Sequence, residues 1–143
     1  PDADGPINET VWGLKLVPVD GSPAAFVFSY SCHPVIVYTY ANSAISADFP
    51  GRTRRLLREQ LGAAHVQFVQ GTAGNIRPRV LADFDNGRFR PGTPEILERA
   101  ADQLADDCLA AARGAKRKLR LNLAGCGDHP FLPRDNPPPR AVY

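Results

Sequence analysis

No uninterrupted apolar run in the 143 residues approaches the roughly 18 to 20 that a membrane-crossing helix needs. The first residues also lack the basic-then-apolar order of a secretory leader. Charge of one sign is scarce in excess, since 17 basic residues face 15 acidic ones and the net charge is +2. That balance gives no bulk attraction to a polyanion. The clusters Arg52, Arg54, Arg55, Arg58 and Lys116, Arg117, Lys118, Arg120 carry no interleaved aromatics to stack bases. They read as solvated surfaces, and no nucleic-acid partner is expected. Cysteine is also sparse: Cys32, Cys108 and Cys126 form neither an even set nor a CxxC pair, which excludes a disulfide framework and a zinc finger. No internal repeat is present.

What is there suits a soluble globular unit, with 43% hydrophobic residues and enough length for one core. Val11–Val19 alternates apolar and polar residues, the Asp20–Pro23 cluster is a turn, and Ala24–Cys32 is rich in β-formers. A hairpin is the natural reading, and it puts His33 at a strand end. Arg52–Leu61 predicts a helix stopped by Gly62, and His65–Gln70 a short buried strand. Asp83–Gly92 reads as a polar loop. Thr93 followed by Pro94 looks like a cap and first turn for a helix to Gly114, whose apolar face runs through Leu97, Ala101, Leu104 and Cys108. Leu119–Leu123 alternates as a strand. The order strand, helix, strand predicts an α/β fold, a mixed β-sheet with flanking helices. Residues 1–124 form that portion and 125–143, with the run Pro137–Pro139, an irregular tail. Both ends read as cuts through a larger protein.

Three segments offer chemistry. Ser31-Cys32-His33-Pro34 ends a strand on an imidazole, which is either a zinc ligand or a core or capping histidine. His65 and His129 are weaker candidates. Ile45–Gly51 leads into a helix and holds Ser46 and Asp48. That carboxylate either caps the helix or accepts the second ring proton of a metal-binding histidine. Gly71-Thr72-Ala73-Gly74-Asn75-Ile76-Arg77-Pro78 is a glycine-bearing turn after a strand, either a plain tight turn or a set of amides that hold an anion. It lacks the GxxxxGK[ST] spacing of a phosphate loop.

In their order and spacing these three segments resemble the neutral/alkaline ceramidase family: a C-H-P-like strand end, an I-S-A-D-x-P-G-like helix opening, and a G-x-x-G-[DN]-[IV]-x-P turn. The likeness covers roughly residues 6 to 123. It implies part of a larger zinc hydrolase catalytic domain whose metal is held by two histidines, a glutamate and a tyrosine. His33 matches the second histidine, and the other ligands fall outside this chain, so the remainder of the polypeptide is an implied partner. The implied reaction is hydrolysis of an amide (N-acyl) bond by water activated on Zn2+. The implied substrate is a small molecule or a lipid such as ceramide, with transient membrane-surface contact and a secreted, periplasmic or membrane-associated setting.

The family's serine in G-D-[IV]-S-P is Arg77 here, and Asn75 replaces its aspartate. Arginine is no nucleophile, but its donors suit a carboxylate, phosphate or developing oxyanion. On this reading Arg77, Asn75 and Asp48 serve the reaction, while Gly71, Gly74 and Ser46 contact substrate. Two alternatives stay open: a non-catalytic lipid- or carbohydrate-binding module of the same fold, and an anion-binding α/β domain.

Overall fold

The computed structural model describes residues 1–20, 25–115, 119, 124, 125 and 127. Strands β1 (Trp12–Leu16) and β2 (Ala25–Tyr30) pair antiparallel, with Trp12 opposite Ser29 and Leu16 opposite Ala25. This antiparallel pair is the one that the hairpin reading predicts, and the expected turn beyond Asp20 lies outside the described residues. Helix α1 (Asp48–Leu61) then crosses over to β3 (His65–Gln70), which lies parallel to β2 with Phe28 opposite Phe68. The sheet order β1-β2-β3 is therefore mixed, antiparallel on one side of β2 and parallel on the other. Helix α2 (Pro94–Gly114) packs against α1, and the two share one face of the sheet, α1 against β3 and α2 against β1. The chain is a small α/β fold.

The core lies between that face and the helices. Phe26, Phe28 and Val66 come from the sheet, Phe49 and Leu57 from α1, and Leu104, Cys108 and Leu109 from α2. The i, i+4, i+8 spacing of Phe49, Thr53 and Leu57 makes one buried stripe, and Thr53 donates its hydroxyl to the Ala101 carbonyl at 3.2 Å, joining the helices. Each fully buried Phe or Leu contributes about 1.5–3 kcal/mol by leaving water. The Arg52–Glu98 ion pair at 2.6 Å joins the same helices at the surface, where such a pair adds about 0–1 kcal/mol.

Several boundaries differ from the sequence reading. Helix α1 starts at Asp48 rather than Arg52, because Pro50 lies in the first turn, where its missing N–H has no intrahelical acceptor to lose. Gly62 closes the helix in the left-handed region at φ 60°. Helix α2 begins as expected, with the Thr93 hydroxyl accepting from the Ile96 amide at 3.3 Å and Pro94 leading. Residues read as a polar loop contain a small hairpin, β4 (Ala82–Asp83) with β5 (Arg88–Phe89). Strand β3 is covered on one face only, so His65 and Gln67 are exposed. Apart from Leu119, the strand expected over Leu119–Leu123 lies outside the described residues, as does most of the expected tail. No helix among the described residues is long and apolar enough to cross a membrane.

Candidate functional site at the strand ends

β2 and β3 run parallel, so the segments that follow them leave the sheet at the same end. Open α/β sheets commonly place ligands there, beyond the carboxyl ends of parallel strands. The chain after β2 is Ser31-Cys32-His33, and the chain after β3 is the glycine turn. The two are laced together by main-chain bonds: Gly71 N–H donates to Tyr30 C=O at 3.1 Å and His33 N–H to Ile76 C=O at 3.0 Å. The Gln70 amide adds a bond to the Cys32 carbonyl at 3.1 Å. Inside the turn, Ile76 N–H donates to Ala73 C=O at 2.7 Å.

The half-buried His33 ring takes part in this lacing. Its Nε2 lies 3.3 Å from the Gly74 carbonyl oxygen. A carbonyl only accepts, so Nε2 is the donor, and in the neutral ring the lone pair is then on Nδ1. A metal-binding histidine has this division of labour: one nitrogen is anchored to an acceptor and the other is free to coordinate. Gly74 supplies the anchor, the part the sequence reading offered to Asp48.

Asp48 is 6% exposed and has other work. One carboxylate oxygen accepts from Val37 N–H at 2.7 Å and the other from Phe49 N–H at 2.8 Å. Its own N–H donates to the Ser46 hydroxyl at 3.0 Å. Asp48 sits at φ 51°, a left-handed conformation that aspartate adopts more readily than most non-glycine residues. It opens α1 and ties that end to the short 3₁₀ turn Val37–Thr39. Ser46 serves Asp48 in this arrangement.

Arg77 is exposed, and its guanidinium lies 5.2 Å from the ring centroid of Phe89 on β5. Arg79 is placed in the same way over Phe84. Asn75 is exposed on the turn. Gly71 has a steric reason to be glycine, since a Cβ there would run into the Ser31 hydroxyl. The structure thus joins His33 to Gly74 and Ile76, ties Gly71 to Tyr30, sets Asp48 and Ser46 at the entrance of α1, and turns Arg77 toward the hairpin.

Sequence reasoning missed an amphiphilic cleft of about 390 Å³ on the helix side of this strand end. Tyr30, Cys32, Phe49 and Leu104 form apolar walls, and Arg79 and Arg99 belong to its lining. The residues come from distant parts of the chain, so no local pattern announces them. Burial first, and then the Asp48 charge, push the Cys32 thiol up to about 12. Burial likewise raises Tyr30, with Cys32, Glu9 and Asp107 adding to it. Both groups stay protonated across the neutral range.

Among the described residues no three of histidine, cysteine, aspartate and glutamate gather closely enough to hold a metal ion. His33, with Nε2 anchored, brings one nitrogen donor, Nδ1. Compared with family models, curated proteins and solved structures, the chain matches none.

Proposed function

We propose that this chain is part of a zinc-dependent hydrolase that cleaves an N-acyl amide, with His33 as one of the metal's ligands. The observation that carries the reading is the His33–Gly74 contact, because it leaves Nδ1 with a lone pair at the carboxyl end of a parallel strand pair. The order of the C-H-P, S-A-D-F-P-G and G-T-A-G-N-I-R-P segments supplies the chemistry.

A bound zinc ion polarises a carbonyl and lowers the pKa of water, which supplies a nucleophile at neutral pH. The chain's own residues do the rest. His33 Nδ1 would be the atom that holds the metal, with Gly74 fixing the ring. The exposed turn at Gly74–Asn75 lies beside the imidazole, and in this reading its amides donate to the acyl oxygen as charge develops. Arg77, stacked on Phe89, keeps guanidinium donors for a polar group of the substrate. The cleft walled by Tyr30, Cys32 and Leu104 suits an acyl chain, and its charged lining suits a polar end. Exposed Tyr38, Tyr40 and Ile45 on the connection from β2 to α1 are the kind of side chain that a membrane-surface contact uses.

The test is metal analysis of the polypeptide that carries all four ligands, wild type beside His33→Ala, with N-acyl hydrolysis measured on the same samples. The variant should lose zinc and activity together. Equal zinc in both proteins overturns the reading.

A further inference from the structure

We propose that the cleft on the helix-free face of the sheet binds a neutral carbohydrate, stacked on Trp12 and hydrogen-bonded by Ser29 and Ser31. The strand register assigns the two faces. Phe26, Phe28 and Val66 point to the helices, so Trp12, Val27, Ser29 and Val69 point the other way. At the Ser29 end of that face is a cleft of about 400 Å³, within the usual range of about 300–1,000 Å³ for small-molecule sites.

Its floor is built from hydroxyls. Ser29 is 3% exposed and Ser31 7%; neither hydroxyl bonds to a described residue, and since no buried polar side-chain atom among the described residues is left without a partner, both hydroxyls open onto the cleft. Hydroxyls that open onto a cleft without a protein partner both donate to and accept from a ligand seated there. Gly71 permits this floor, because its missing side chain is what lets Ser31 sit beside it.

The walls specify the ligand further. Trp12 is 50% exposed and offers a flat apolar surface. Asn8 uses its side-chain carbonyl to accept from Thr10 N–H at 3.0 Å, which leaves its NH₂ as a donor. Gln70 directs its amide nitrogen to the Cys32 carbonyl at 3.1 Å, which leaves its oxygen as an acceptor. None of the lining residues carries a formal charge, so an ionic ligand would shed its water with no counter-charge to meet it. A sugar ring combines an apolar C–H face for the indole with hydroxyls that both donate and accept. His33 lies outside the cleft lining, and neither this site nor the zinc reading needs the other.

Trp12 is the only tryptophan, so its fluorescence reports on this cleft alone. The 143-residue chain, stripped of metal with EDTA, is titrated with glucose, galactose, N-acetylglucosamine, cellotetraose and, separately, inorganic phosphate. At least one sugar should give a saturable change with a dissociation constant of order millimolar, and phosphate none. Ser29→Ala/Ser31→Ala keeps the packing and should weaken that sugar about tenfold or more. Trp12→Ala, followed by saturation-transfer NMR on the sugar, should abolish binding. The absence of a saturable response to every sugar, unchanged affinity in the double serine variant, or a saturable response to phosphate each overturns the proposal. Because metal is removed throughout, failure here leaves the zinc reading standing.

Discussion

The His33 ring and the Gly74 carbonyl, 41 positions apart in the chain, lie 3.3 Å from each other and set the tautomer of the imidazole. Long-range proton–nitrogen NMR in alkaline buffer should find the His33 proton on Nε2 and the lone pair on Nδ1. Gly74→Ala keeps the carbonyl, and its new Cβ meets open space, so the same tautomer should persist. A proton on Nδ1 in the wild type would contradict the anchoring role given to Gly74.

Asp48 satisfies two amides that would otherwise be buried without an acceptor. Asp48→Ala should destabilise the chain by about 2–4 kcal/mol, read as a lower urea midpoint at unchanged slope. Asp48→Asn retains one acceptor oxygen and tolerates positive φ, so its loss should be smaller. If alanine and asparagine cost the same, the carboxylate is not what holds the Val37 and Phe49 amides.

Cys32 and Cys108 are both raised to about 12, by burial first and then by Asp48 and Asp107 respectively. In a Cys126→Ser background, neither thiol should react with Ellman's reagent until the protein unfolds. The pH dependence follows from the same shifts. The unfolded chain ionises these thiols near 9 and the folded chain near 12, so the unfolded state binds fewer protons between those values. Stability is therefore fully present below pH 9 and falls as pH rises toward 12. Denaturant midpoints that stay level across that window would refute it.

Asp83 sits at the centre of the β4–β5 hairpin. It accepts from Asn86 at 3.0 Å and pairs with Arg90 at 3.1 Å. The Arg90 hydrogen bond, followed by that of Asn86, holds this carboxyl well below the usual range. A depressed carboxylate stabilises the fold above its unfolded pKa, and the contribution is lost as pH falls through the folded value. The Arg90 amide, which bonds to Leu81 C=O at 2.7 Å, should therefore shift only in strong acid. In Asp83→Asn that acid transition should vanish, and the Phe89 ring beneath Arg77 should become more mobile by NMR.

Local periodicity made most of the scaffold legible. Strand β3 runs over the expected His65–Gln70, though it is covered on one face rather than buried, and α2 starts where Thr93 and Pro94 place it. The β4–β5 hairpin escaped notice because strands of two residues are too short to show a period. At the site, the sequence placed His33 and the glycine turn at strand ends, and parallel pairing then put those ends side by side. The partners of Asp48 were hidden, since a bond to Val37 across 11 positions leaves no mark on spacing. Arg77 over Phe89 was hidden for the same reason, as the hairpin that carries Phe89 was itself unseen.

The parallel β2–β3 ladder also orders events in time. Leu16 and Ala25 pair across only 9 positions of sequence, whereas Tyr30 and Gln70 are 40 positions apart, so closing the parallel ladder costs more chain entropy. Contacts across longer loops form more slowly. The His33–Gly74 contact depends on the ladder, which makes the imidazole's anchoring a late step of folding.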